Sequence, residues 1–212
     1  KIPSIGSYSG IDLERTIVLH PDLIVVWGRT FAREVAALRK FLIPVYVSMP
    51  HRLADIPRTM QNLGCLTGRD AEAVRLAKHF RTELATLQQR YHTEHPVSVY
   101  YQIGAYSLFT INKDSWISDA IALCGGRNVF AHAHSVSPEI SWEAVVAANP
   151  DVIIADTTDT HLEQRFRAFS TMTAVKNNAF HSIDPNLLDR PGPRLLAGVR
   201  QLCGFLHIFS AK

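Results

Sequence analysis

From Asp70 to about His92 the chain contains neither proline nor glycine, and its apolar residues fall at Ala73, Ala77, Phe80, Leu84, Leu87 and Tyr91. Steps of four and three keep these positions on one face of an α-helix. The segment therefore predicts a single amphipathic helix. Glu94-His95-Pro96 ends it, because the residue before a proline is driven out of helical geometry. At 1.5 Å per residue the helix is roughly 35 Å long, the length of a domain edge, and it reads as a rigid strut joining two lobes. Thr67 and Asp70 have the spacing of a capping box, with Asp in place of the usual Glu.

The hydrophobic pattern also repeats. Asp12-Leu13-Glu14-Arg15-Thr16-Ile17-Val18 leads through His20-Pro21-Asp22 into Leu23-Ile24-Val25-Val26, and Ser141-Trp142-Glu143-Ala144-Val145-Val146 leads through Asn149-Pro150-Asp151 into Val152-Ile153-Ile154-Ala155. The blocks align without a gap, pairing Glu14 with Glu143 and Pro21 with Pro150. In each, Asp12 or Ser141 can cap a helix whose first amides lack intrahelical acceptors. The carboxylate that follows lies where the helix dipole favours it. Proline stops the helix, and the Ile/Val run predicts a strand buried on both faces, as in a parallel sheet. Two α/β lobes of similar design follow.

The remaining elements are coarser. Helices are expected from about Thr30 to Lys40, near Ile56 to Leu63, from Trp116 to Leu123 with Gly125 closing it, and from Arg194 to about His207. Strands are expected at Val45 to Val47, Val97 to Tyr101 and Phe180 to Ile183. Alternating strands and helices argue a parallel or mixed sheet in each lobe. The division is an N-terminal lobe over residues 1–66, a linking helix over 67–95 and a C-terminal lobe over 96–212.

Composition narrows the function. The chain has 212 residues, 47% of them apolar and 19% charged, with a formal charge of +3 spread along its length. No Lys/Arg cluster of the kind that contacts nucleic acid is present. No apolar run approaches the ~20 residues that span a bilayer. Cys65, Cys124 and Cys203 lack metal-ligand spacing; by themselves they are compatible with three buried thiols or with one long-range disulfide and a free thiol.

Catalytic signals are poor. The chain contains no GxSxG elbow, P-loop, GxGxxG or HExxH, and Gly125-Gly126 follows a helix instead of opening one, as a C-cap does. Of ten histidines, only His132 and His134 form a close pair; on a strand both rings would face one side, a geometry able to ligate metal. Aromatic residues near loops are more telling. Trp27 ends the first repeated strand, Tyr8 sits in a Ser/Gly turn, and Phe109 follows Tyr101-Gln102-Ile103-Gly104. Ligands of open α/β sheets bind beyond the carboxyl ends of strands, where an indole can stack on a flat molecule. These placements predict a cleft between lobes that accepts a bulky, partly planar ligand.

Several runs resemble the periplasmic vitamin B12-binding protein family. They are Gly6-Ser7-Tyr8-Ser9-Gly10-Ile11-Asp12-Leu13-Glu14, Pro21-Asp22-Leu23-Ile24-Val25-Val26-Trp27, Leu53-Ala54-Asp55-Ile56-Pro57-Arg58-Thr59 and Leu63-Gly64-Cys65-Leu66-Thr67-Gly68-Arg69. Further along come Tyr101-Gln102-Ile103, Leu108-Phe109-Thr110, Leu123-Cys124-Gly125-Gly126-Arg127-Asn128-Val129-Phe130 and Arg190-Pro191-Gly192-Pro193-Arg194. The match covers nearly the whole chain in order.

The resemblance implies an α/β fold of the helical-backbone class, with two lobes of parallel or mixed sheet bridged by one long helix. It also implies that a further strand and helix precede the Gly-Ser-Tyr segment in relatives, so the N-terminal lobe is expected to be incomplete here. The implied function is a non-enzymatic substrate-binding component of an ABC importer, exported to the periplasm with its leader removed. It would carry cobalamin as transported ligand, use no catalytic cofactor and meet permease subunits at the inner membrane. Export favours the disulfide, and the resemblance pairs Cys124 with Cys203, leaving Cys65 as a lone, buried thiol. Trp27 is the first candidate for contact with the corrin, followed by Tyr8, Gln102, Phe109, Phe130 and Arg190 in cleft-edge loops. Carboxylates that dock the two lobes on the permease are assigned to Glu34 and, by the repeat's own register, Glu163; Glu14 and Glu143 are the second choice. A haem receptor would want an axial Tyr or His in the cleft, and a ferric-siderophore receptor a cluster of Arg; one Trp and the Arg-Pro-Gly-Pro-Arg segment fit cobalamin better. A metal-dependent hydrolase built on His132 and His134 is the alternative from a different class.

Overall fold

A computed structural model describes residues 2–7, 10–28, 31–104, 108–157 and 162–210. The chain divides into two compact units, Lys1–Met49 and Pro50–Lys212.

The first unit opens with a short antiparallel pair, β1 (Gly6–Ser7) and β2 (Gly10–Ile11). Helix α1 (Leu13–Val18) is capped as its sequence predicts, Asp12 accepting from the Arg15 amide at 2.9 Å. Strand β3 (Ile24–Trp27), helix α2 (Ala32–Lys40) and strand β4 (Val45–Ser48) follow, with β3 and β4 parallel and Ile24 opposite Val45. The expectation that β3 is buried on both faces is corrected: Ile24 and Val26 point inward, whereas Val25 and Trp27 are 50% and 45% exposed. Strand side chains alternate, so one side of β3 is covered and the other open.

The second unit begins with α3 (Asp55–Leu66) and α4 (Asp70–Tyr91), packed against each other. Ala73, Ala77, Phe80 and Leu87 are buried along α4, and Leu84 and Tyr91 pack against the same core, so the predicted stripe is the buried one. Gly64 lets the helices approach, because a Cβ there would lie 2.2 Å from that of Ala73. Thr67 does not cap α4. Its hydroxyl donates to the Leu63 carbonyl at 2.7 Å and closes α3, while Arg69 precedes α4 without a side-chain cap. With only Gly68 and Arg69 between, the Thr67 backbone still belongs to the first helix. Cys65 is exposed, not buried. The inward stripe of α3 runs through Ile56, Met60 and Gly64, and one further residue turns the thiol about 100° away.

Strand β5 (Val97–Ile103), helix α5 (Trp116–Leu123), strand β6 (Gly126–Asn128), helix α6 (Trp142–Ala148) and strand β7 (Val152–Asp156) lead into short α7 (Leu162–Phe166) and α8 (Thr173–Lys176). Strand β8 (Phe180–Ile183), short α9 (Pro185–Leu188) and α10 (Leu195–Ser210) complete the unit. The sheet is wholly parallel, in the order β6-β5-β7-β8. Here the repeated strand is buried along its whole length, since β7 lies inside the sheet. The repeat is visible in the backbone too: His20 and Asn149, its two equivalent turn residues, both take left-handed angles (φ 45 and 40). The aspartates that follow the prolines differ. Asp151 accepts from the amide and hydroxyl of Ser98 and joins the starts of β7 and β5, whereas Asp22 is exposed.

Cys124 and Cys203 form a disulfide between the end of α5 and the middle of α10. Arg52 binds Asp119 in bidentate fashion, and the Leu53 amide donates to the same carboxylate, fixing the approach to α3 on α5. No helix among the described residues is long and apolar enough to cross a membrane.

Candidate functional site

In the second unit the carboxyl ends of β5, β7 and β8 deliver three segments to one edge of the sheet. Strand β5 ends at Ile103, and the left-handed backbone of Gly104 (φ 72) turns the chain out of the sheet. Gln102 is wholly enclosed beside it, and its amide nitrogen donates to the Gly104 carbonyl at 2.9 Å. The returning strand-like stretch is held on β5: the Ile103 amide donates to the Phe109 carbonyl at 2.8 Å, and the Thr110 hydroxyl to the Tyr101 carbonyl at 2.6 Å. Phe109 thus rests on a fixed backbone with its ring 38% exposed.

Strand β7 ends at Asp156, only 4% exposed. Its carboxylate accepts from the Gly104 amide and, at 3.3 Å, from the Tyr101 hydroxyl. Asp189, an exposed residue, closes α9, and its carboxyl interacts with that of Asp156. Burial pushes the Asp156 carboxyl above its ordinary value, against the hydrogen bonds from Gly104, Asp189 and Tyr101. Burial and then the Asp156 charge push Asp189 up to about 7. Each of two nearby carboxyls makes ionising the other costlier. The Tyr101 phenol is pushed well up by its own burial and then by the two carboxyls. The Trp116 indole donates to the Leu188 carbonyl at 2.8 Å and ties the end of α9 to α5, so the Asp189-Arg190 turn departs from an anchored point.

The predicted ligand residues divide by environment. Arg190 is exposed in the turn after Asp189. Phe130 is half-buried, its ring edge-on to Tyr100 at 5.7 Å, and its amide donates to Asn128, which bridges to Ile111 and Ser118. Gln102 and Phe130 therefore brace the edge from within, while Phe109 and Arg190 face outward. In the first unit, Trp27 ends β3 with its indole open, and Gly28 (φ 61) turns the chain immediately after. Tyr8 lies outside the described residues. Glu34 and Glu163 occupy the first turns of α2 and α7, both half-buried. His132 and His134 are exposed in a turn, not on a strand, so no strand alternation presents their rings to one side.

Sequence pattern missed Asp156 and Asp189. The available signal for Asp156 was a carboxylate ending the apolar run Val152-Ile153-Ile154-Ala155, since a charge continuing a fully buried strand needs partners.

A family profile described as "Periplasmic binding protein" matches residues 1–187. The vitamin B12-binding protein of Vibrio parahaemolyticus is 30% identical over 216 residues, covering 100% of this chain and 77% of the relative. That of Photorhabdus laumondii is 29% identical, over 98% of this chain and 74% of the relative. The crystal structure of the periplasmic vitamin B12-binding protein BtuF of Vibrio cholerae superposes with a TM-score of 0.84 at 30% identity, covering 98% of this chain and 82% of that one. The heme-binding protein RhuT of Roseiflexus sp. RS-1 shares the fold, with a TM-score of 0.83 at 21% identity over 99% of this chain and 84% of its own. The chain belongs to the periplasmic binding protein family, and vitamin B12-binding proteins are among its relatives.

Proposed function

We propose that this chain is the substrate-binding component of an ABC importer, that it works in the periplasm, and that its ligand is cobalamin. The observation that carries this reading is the open indole of Trp27 at the carboxyl end of a parallel strand. A partly exposed indole there suits the face of a corrin. Correspondence with vitamin B12-binding proteins along the whole chain supports the same ligand. Phe109 offers further apolar surface, and Arg190 a fork of donors for the carbonyls of the corrin's amide side arms. Tyr8 completes the proposed ligand set, with Gln102 and Phe130 as its supports. The lobes are proposed as residues 1–66 and 96–212, with the helix of residues 67–95 as backbone.

Calorimetric titration with cyanocobalamin, with haemin as parallel control, tests this directly. One-to-one binding of cobalamin alone is expected. Saturable binding of haemin and none of cobalamin would replace the ligand and keep the scaffold.

Glu34 and Glu163 are proposed to meet arginines of the permease. Charges at a contact rim set orientation and encounter rate more than ligand affinity. Glu34→Ala with Glu163→Ala is expected to leave cyanocobalamin affinity within twofold of the parent ~1:1 complex, yet to lower stimulation of the reconstituted importer's ATPase severalfold. Unchanged stimulation would move docking to other carboxylates, Glu14 and Glu143 first.

A further inference from the structure

The order β6-β5-β7-β8 places the strand that follows β5 on one side of the central pair and the strand that follows β7 on the other. The chain therefore leaves the carboxyl ends of β5 and β7 in opposite directions, and such a divergence opens a crevice at the edge of a parallel sheet. A buried side chain stands at that point. The last paired residues are Ile103 and Asp156, and the next amide along β5, that of Gly104, donates to the Asp156 carboxylate. The second oxygen of the same carboxylate accepts from the Tyr101 hydroxyl at 3.3 Å. Gly104 is held from its other end too, its carbonyl accepting from the Gln102 amide nitrogen at 2.9 Å. Both backbone groups of this left-handed glycine (φ 72) are thus bonded to enclosed side chains, Asp156 being 4% and Gln102 0% exposed. A buried carboxylate is costly unless donors meet it; here the donors are the turn itself and the strand that leads into it.

We propose that Asp156 is a positioning residue for the ligand site: it clamps the Gly104 turn, fixes the direction in which the chain leaves β5, and so sets where Phe109 stands. The connection to Phe109 is short. The Ile103 amide, one residue before the clamped turn, donates to the Phe109 carbonyl at 2.8 Å, and the Tyr101 carbonyl accepts from the Thr110 hydroxyl at 2.6 Å. Tyr101 and Ile103 therefore hold the returning segment. Asp156 holds Tyr101 by its phenol and Ile103 through the peptide it shares with Gly104. On its far side the segment is tied by the Thr110 and Asn112 amides to the Pro138 and Val136 carbonyls, both at 3.0 Å. Asp156 brings the end of β7 into the same assembly. Being enclosed, it acts through these neighbours and does not itself meet the ligand.

The effect on ligand rests on the function proposed above; the clamp does not. Two measurements separate them. In Asp156→Asn one oxygen still accepts from the Gly104 amide, and the Tyr101 hydroxyl can turn to accept from the new amide nitrogen. In Asp156→Ala both donors lose their acceptor. Residue-resolved amide exchange on the ligand-free protein reads the clamp. Asp156→Ala should speed exchange at Ile103 and Gly104 about tenfold more than at Val99 and Tyr100 inside β5, and Asp156→Asn should resemble the parent. Calorimetry with cyanocobalamin, well below the melting temperature, reads the positioning. Affinity should fall about tenfold in Asp156→Ala and return to within about threefold of the parent in Asp156→Asn. Gly104→Ala strains the same turn and leaves the carboxylate in place; it should lose affinity similarly, and it carries the test should Asp156→Ala fail to fold. Exchange speeded evenly along β5, with affinity unchanged, overturns the clamp and leaves Asp156 a stabilising residue of the sheet. Local speeding with unchanged affinity overturns the positioning of Phe109. A parent chain that binds no cyanocobalamin, with the local speeding intact in Asp156→Ala, establishes the clamp and counts against the receptor reading alone.

Discussion

Breaking the Cys124–Cys203 bond is expected to lower stability by about 4–5 kcal/mol, from the chain entropy released when a loop of this length opens in the unfolded state. The two cysteines are separated by 79 residues, and the loop they close carries β6, β7, β8 and the helices between. Both are buried, and the Cys124 sulfur sits 3.5 Å from the Val199 carbonyl, so the bond stitches α5 to α10 inside the core. Domains of this kind are stable by only about 5–15 kcal/mol, so roughly a quarter or more of the total is at stake. Cys124→Ala with Cys203→Ala avoids burying hydroxyls. Urea unfolding of that variant should match the parent in reductant and fall well short of it without. Cys65→Ala, at an exposed position, should be neutral. A loss under about 1 kcal/mol would mean that the unfolded chain stays compact around the two segments without the bond.

Replacing Trp27 with alanine is expected to weaken cyanocobalamin binding about 30- to 150-fold while leaving thermal stability almost unchanged. An indole presents about 150–250 Å² in all, and 45% of this residue remains open. Burying roughly 100 Å² at about 25 cal/mol per Å² amounts to about 2.5 kcal/mol. The separation of effects follows from alternation along β3. Ile24 and Val26 hold the strand to its unit, and Trp27 points the other way. Trp27→Phe should recover part of the loss, because a smaller plane still covers apolar surface. An unaltered affinity in Trp27→Ala would show that the ligand does not meet this face.

The resemblance along the chain implies the periplasmic binding protein family and the Cys124–Cys203 pairing, and both are found; the elements were equally legible. Helix α4 was readable because a 22-residue segment free of breakers, with a regular apolar step, has one stable solution. The repeated block was readable because a cap, a proline and an Ile/Val run are each local signals, and the matching left-handed turns at His20 and Asn149 follow from that local pattern. What failed was everything depending on neighbours distant in sequence. Identical strand patterns gave a half-open β3 and an enclosed β7, because burial is decided by what packs on each face and not by the strand itself. Thr67 had the spacing for the helix after it and served the helix before it.

The site divides along the same line. Trp27 and Phe109 stand out as candidates because aromatic residues near strand ends carry their chemistry in their type and position, whereas Arg190 is a candidate through the resemblance alone. Gln102 and Phe130 could be named too, but not their enclosure, which arises from Gly104, Tyr100 and Asn128. Asp156 carried one local signal, a carboxylate ending an apolar run, but its partners Gly104 and Tyr101 lie elsewhere in the chain. Sequence by itself determined the elements and the residue types at their ends, since these depend on local backbone preference and side-chain periodicity. Tertiary structure alone decided which faces stay open and which polar groups are enclosed, because burial and hydrogen bonding depend on neighbours in space.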